Sequence, residues 1–176
     1  MVGRTAPRVA AKARRVLGID PGLQRTGYAC VELTARGAVC IVDAGVFRLS
    51  ARTPLVHRLG ELAADLEAVL SEYRPSHMVV ESVFSRPKHP ATSILMAHAR
   101  GVVLLAAGQR SLGLTELSPT AVKKALTGNG HATKRQVQSA VMARCGLAKP
   151  PRPADVADAI AIAICGAERL PQRGLR

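Results

Sequence analysis

Two short apolar runs in this chain each stop at a carboxylate. Val16-Leu17-Gly18-Ile19 runs into Asp20, and Met78-Val79-Val80 runs into Glu81. Both runs read as strands, the first entering the turn Asp20-Pro21-Gly22. A lone carboxylate at the end of such a strand is costly to bury unless something positive pairs with it. The fold must therefore bring positive charge to both strand ends.

The rest of the pattern supplies a frame for these two strands. Gly27–Leu33 and Val39–Leu49 read as further strands joined by a turn at Ala35-Arg36-Gly37, so the first three strands form an antiparallel meander. Thr53-Pro54 opens a helix as cap and first-turn proline, and Leu55, Leu59, Leu62, Leu66, Val69, Leu70 and Tyr73 mark one face of it. The fourth strand, His77–Val80, leads into the polar, basic loop Ser85-Arg86-Pro87-Lys88-His89-Pro90. Thr92–Gly108 is predicted to be a buried helix, with Ala97, Ala99 and Gly101 allowing close packing on a sheet. Leu114–Leu117 is a fifth strand. Ser118-Pro119 caps a helix ending near Thr127-Gly128, and Thr133-Lys134-Arg135-Gln136 is a capping-box pattern. A proline elbow, Pro150–Pro153, precedes a last apolar helix from about Ala154 to Leu170. The expectation is an α/β fold: a five-stranded mixed sheet, three strands antiparallel and then two parallel, with helices on both faces.

The 176 residues suit one domain with a full core. The formal charge of +13, from 25 Lys and Arg against 12 Asp and Glu, favours a polyanionic partner. Residues 1–15 carry Arg4, Arg8, Lys12, Arg14 and Arg15 without an acid and read as a disordered basic arm; 16–170 form the folded domain and 171–176 a tail. Cys30, Cys40, Cys145 and Cys165 have no metal-ligand spacing and are expected to be reduced core residues of a cytoplasmic protein. No apolar run reaches the length expected of a membrane span.

The acids separate by place. Glu61, Asp65, Glu67 and Glu72 fall on the polar side of the first helix, and Glu32, Asp43, Glu116 and Glu168 are scattered. Asp20, Glu81, Asp155 and Asp158 remain. The last two stand three positions apart at a helix start and so share a face. Taken singly, Asp20 could cap its turn and Asp155 its helix, with Asp158 a first-turn acid favoured by the dipole. Together, from two strand ends and one helix, they make an all-oxygen pocket of the kind magnesium and manganese prefer. On a basic chain that points to phosphodiester cleavage, in which two ions about 4 Å apart can stabilise the attacking and leaving oxygens.

At these residues the chain resembles a known family. Val16-Leu17-Gly18-Ile19-Asp20-Pro21-Gly22 with Thr26-Gly27-Tyr28, Val80-Glu81-Ser82-Val83-Phe84, Ala99-Arg100-Gly101, and Asp155-Val156-Ala157-Asp158-Ala159 resemble, in this order, motifs of the RuvC Holliday-junction resolvases. The resemblance runs from about Val16 to Ala167. It implies an RNase-H-like fold, a homodimer, and magnesium- or manganese-dependent resolution of four-way DNA junctions by paired symmetric nicks. It also implies two ions per active site held by Asp20, Glu81, Asp155 and Asp158. The DNA-binding residues it implies, together with the basic flanks, are Phe84, Arg86, Lys88, Lys123, Lys124, Lys134 and Arg135. The branch-migration complex RuvAB is a partner expected from the resemblance, and the place of work is the cytoplasm, at the nucleoid. The loop after Phe84 is one residue longer than usual, with His89 where Asn is common, and His98 stands where Gln is common.

Two other readings fit parts of the pattern. A sugar kinase or actin-like ATPase also places Asp between an apolar strand and glycine, but needs two domains and a second phosphate loop, which this chain does not show. A non-catalytic DNA-binding module would gain nothing from four converging carboxylates.

Overall fold

The computed structural model describes residues 14–34, 38–82 and 90–171. Its elements are β1 (Arg14–Asp20), β2 (Arg25–Leu33), β3 (Val39–Arg48), α1 (Leu55–Tyr73), β4 (His77–Glu81), α2 (Pro90–Gln109), β5 (Gly113–Leu117), α3 (Pro119–Thr127), α4 (Lys134–Cys145) and α5 (Ala154–Arg169). The strands form one sheet in the order β3-β2-β1-β4-β5. β1 pairs antiparallel with β2 and β2 with β3, whereas β1 and β4, and β4 and β5, are parallel. This is the expected mixed sheet. β1 and β2 each begin two residues before the stretch that the apolar pattern marks.

Helices cover both faces, which is why the central stretches, residues 16–19 of β1 and 78–80 of β4, are apolar without alternation. Alternation along the strands decides what each face receives. Leu17, Ile19, Met78 and Val80 meet Leu62, Leu66 and Leu70 of α1 and Ala99 and Val103 of α2. Val16, Ala29, Val31 and Val79 meet α5, whose residues from Val156 to Ala167 are buried apart from Asp158. Burying one Ile or Leu side chain contributes about 1.5–3 kcal/mol, so Ile160, Ile162 and Ile164 alone fasten α5 firmly. Small residues let it come close. A Cβ on Gly18 would lie 2.5 Å from the Ala159 carbonyl oxygen, and one on Gly166 would collide with Val79.

Local details differ from the sequence pattern in two places. Thr53 does not cap α1: Pro54 occupies the N-cap with no side-chain cap, and its carbonyl accepts from His57 and Arg58. Ser118 and Thr133 do cap α3 and α4, the latter in a capping box with Gln136. Helix α2 is not buried. Ala99, Val103, Ala106 and Ala107 pack inward, but Ile94 and Leu105 are 59% and 61% exposed and Ala97 and Gly101 are exposed too. One side packs on α1 and the sheet, and no described element covers the other.

By length and composition alone Ala91–Gln109 is long and apolar enough to cross a membrane, contrary to the expectation from the sequence. Its Arg100 is held by Glu116 of β5 at 2.5 Å. All four cysteines are free. Cys30 and Cys165 are buried as expected, whereas Cys40 is exposed and Cys145 half-buried, because both lie at the margin of the packed layers.

Candidate active site

The two carboxylate-ended strands lie side by side. Ile19 is in register with Val80, which puts Asp20 beside Glu81 at the same end of the sheet. Gly18 and Val79, two residues before each acid, both face α5. By the strand period Asp20 and Glu81 face α5 as well. Helix α5 starts at that end, and the Asp155 carbonyl lies against Gly27, the cross-strand partner of Asp20. Asp155 sits in the first turn, where the helix dipole favours a negative charge. The bond that ties the Asp20-Pro21-Gly22 turn comes from Thr26: its buried hydroxyl donates to the Gly22 carbonyl at 2.5 Å and accepts from the Gly22 amide at 3.2 Å. The turn therefore does not need Asp20 as its cap.

A cleft of about 650 Å³ opens over this end, lined by Asp20, Glu81, Asp158, Lys123 and Lys134 among others. Asp20 is pushed up to about 8, first by burial and then by the charges of Glu81, Asp158 and Asp155, and it shares a hydrogen bond with Glu81. Burial also raises Asp158 above the usual carboxylate range, opposed by Lys134 and Lys123. The Lys134 ammonium is 3.8 Å from the Asp158 carboxylate, with the lysine side chain 77% exposed. The scattered acids are otherwise engaged: Glu32 with Arg15 at 2.6 Å, Glu116 with Arg100, Glu168 with Arg144, and Asp43 as acceptor from the Tyr28 hydroxyl at 2.9 Å.

Four carboxylates crowded into one partly buried place leave a deficit of positive charge that two lysines do not fill. That is the electrostatic signature of a site fit for a divalent cation, and oxygen-only donors suit a hard one. The carboxylates are neighbours and not a closed cage: among the described residues no three His, Cys, Asp or Glu side chains converge into a preformed ion site.

The sequence profile of the family described as crossover junction endodeoxyribonuclease RuvC matches residues 16–166. The chain belongs to the RuvC family. A RuvC from Rhodopirellula baltica is 44% identical over 151 residues, which are 86% of this chain and 84% of that one. One from Streptomyces coelicolor is 42% identical over 89% of this chain and 83% of its own. Among solved structures, Thermus thermophilus RuvC in complex with a Holliday junction substrate superposes with a TM-score of 0.81 at 34% identity, covering 88% of this chain and 93% of that chain. A yeast mitochondrial Holliday junction resolvase, at 16% identity and a TM-score of 0.58, shares the fold. The RNase-H-like architecture that the motifs imply is thus the observed one.

Against the RuvC expectation, Asp20, Glu81, Asp158, Lys123 and Lys134 share the cleft, with Asp155 adjoining it. Lys124 is exposed on α3, and Arg135 lines a separate groove with Thr127, Thr133 and Ser139. Phe84, Arg86 and Lys88 lie outside the described residues. Ser82, Thr92, Ser93 and Met96 also line the cleft and carry no signal in the sequence beyond nearness to Glu81 and the start of α2.

Proposed function

We propose that this protein is a structure-selective endonuclease that resolves four-way DNA junctions by paired symmetric nicks, in recombination and repair. The observation that carries the proposal is that Asp20, Glu81 and Asp158 line one cleft at the sheet end, close enough with Asp155 to push Asp20 up, with Lys123 and Lys134 beside them. Asp20, Glu81, Asp155 and Asp158 would hold magnesium or manganese, with ligands enough for two ions. Such ions supply positive charge against the phosphate and lower the pKa of a bound water. Asp20 and Glu81 are fixed by the sheet and Asp155 and Asp158 by α5, so the donor set is rigid on three sides. Lys134, exposed and only loosely paired, is free to turn from Asp158 to a DNA phosphate. Lys123 faces the same cleft from α3. The names of the relatives, and the junction bound by the Thermus thermophilus protein, support the choice of substrate.

The finer assignments belong to the same proposal. Phe84 stacks on bases at the junction centre, and Arg86, Lys88, Lys124 and Arg135 extend the backbone contact. Two-fold cutting makes a homodimer natural, and the exposed apolar stripe of α2, with Ile94, Ala97, Gly101 and Leu105 at helical spacing, offers a face for a second copy. RuvAB is the expected motor partner, and the cytoplasmic nucleoid the place of work.

The decisive assay compares a four-way junction, plain duplex and an RNA–DNA hybrid, each with magnesium and with manganese. Symmetric cuts restricted to the junction are expected, and preferential cutting of the hybrid would refute the substrate. Lys123→Ala and Lys134→Ala should each weaken junction binding and reduce the salt slope by about 1. An unchanged slope would place these lysines off the DNA.

A further inference from the structure

The register puts two arginines where the sequence does not suggest a site. Arg25 opens β2 and Arg48 closes β3, and the two are direct cross-strand partners. Gly27 and Val46, two residues further in, face α5. Arg25 and Arg48 therefore face the same side, beyond the point where the helix begins. Read across the sheet at this end, the side chains on that face run Arg48, Arg25, Asp20, Glu81. Adjacent strands are about 4.8 Å apart, so Arg48 lies roughly 10 Å to the side of Asp20; both arginines also stand about 7 Å further out along the strands.

Like charges directly opposite on paired strands repel, with Cβ atoms about 5 Å apart. Nothing offsets this here. Both arginines are exposed, and neither side chain has an ion-pair or hydrogen-bond partner among the described residues. The other arginines of the sheet differ: Arg15 is held by Glu32 and by the Tyr73 carbonyl, and Arg14 by the Pro171 carbonyl. Lys123 and Lys134 reach the same acids from α3 and α4.

We propose that Arg25 and Arg48 form a second phosphate-binding rim, holding the DNA backbone beside the acid cluster from β2 and β3, apart from Lys123 and Lys134 on the helices. The partner is a run of two or three phosphates, since strand phosphates rise about 3.4 Å each along the duplex axis and the rim reaches about 10 Å sideways. The scissile strand is then gripped by the sheet as well as by the helices. The proposal rests on the nuclease reading above.

The test is equilibrium binding to a synthetic four-way junction and to plain duplex, without divalent metal, between about 50 and 200 mM salt. The variants are Arg25→Ala/Arg48→Ala, the charge-keeping Arg25→Lys/Arg48→Lys, and Arg74→Ala at the opposite end of the sheet. The double alanine variant should bind roughly tenfold more weakly at low salt, with a salt slope shallower by about 2. The double lysine variant and Arg74→Ala should keep the parent slope. Relief of the like-charge pair leaves the melting temperature of the double alanine variant unchanged or higher. A parent-like slope in the double alanine variant overturns the rim, and so does a fall of its melting temperature by several degrees, which would make the pair structural. Equal binding of junction and duplex by the parent protein would count against the substrate assigned above; the slope difference on duplex would still decide the rim.

Discussion

Asp20→Asn raises the melting temperature of the metal-free protein near pH 8 while it removes junction cleavage. The two effects have one cause. In the unfolded chain Asp20 ionises near 4; in the folded protein burial and three neighbouring acids push it up to about 8. Between these values the unfolded chain has released a proton that the folded protein still holds, so folding stability falls as pH rises from 4 to 8 and stays low above. An amide carries no such penalty. The stabilisation by Asp20→Asn should therefore vanish near pH 4 and grow towards pH 8, to the order of a few kcal/mol, since each pKa unit is worth about 1.4 kcal/mol. Magnesium or manganese should raise the melting temperature of the parent protein and shift the variant much less, because a ligand stabilises only the state that binds it. Junction binding should persist while cleavage drops by at least about a thousandfold, equivalent to roughly 4 kcal/mol of lost transition-state stabilisation. Calorimetry across pH, with and without the ions, together with a cleavage time course, measures all of this. A variant that melts below the parent at pH 8, or cuts normally, would remove Asp20 from the metal site.

Gly27→Ala is expected to damage the site from beneath. The Cβ of that alanine would overlap the carbonyl oxygen of Asp155, a backbone atom that cannot rotate away. Either β2 or the first turn of α5 must shift. Overpacking of this kind costs typically 1–3 kcal/mol, and here the shift falls on the turn that carries Asp155 and precedes Asp158. Cleavage should fall further than the loss of folded protein explains, whereas the double lysine variant of the outer arginines should keep its fold intact. A thermal melt, and cleavage normalised to the folded fraction, separate the two contributions. An alanine variant with parental activity and melting temperature would mean that α5 is seated less closely than the structure has it.

Much of this could be read from the residues, because the features concerned are local. Asp20 and Glu81 were visible as interruptions of apolar runs, and Asp155 and Asp158 as a pair on one helix face. The capping patterns of α3 and α4 are short-range hydrogen-bond grammar, and the structure keeps them. What escaped depends on distant parts of the chain. The apolar character of α2 says that one side must be buried, but not that Ile94 and Leu105 face away from every described neighbour. Thr53 has a capping residue's chemistry, yet the chain turns so that Pro54 takes the N-cap. Arg25 and Arg48 are 23 positions apart, and only the β2–β3 register makes them neighbours. The assignment of roles to the four acids and the basic residues draws on family resemblance, which spacing alone does not supply.

The seating of α5 also bears on when the enzyme becomes dangerous. Two of the four acids and nearly the whole lining of one sheet face arrive with the last helix in chain order. A ribosome that has made everything up to α4 has produced neither a closed core nor the two carboxylates that α5 brings to the cleft end of the sheet. If Asp155 and Asp158 are ligands as proposed, a chain stopped before α5 should be unable to cut DNA, since the same helix covers the sheet and supplies half of the acids.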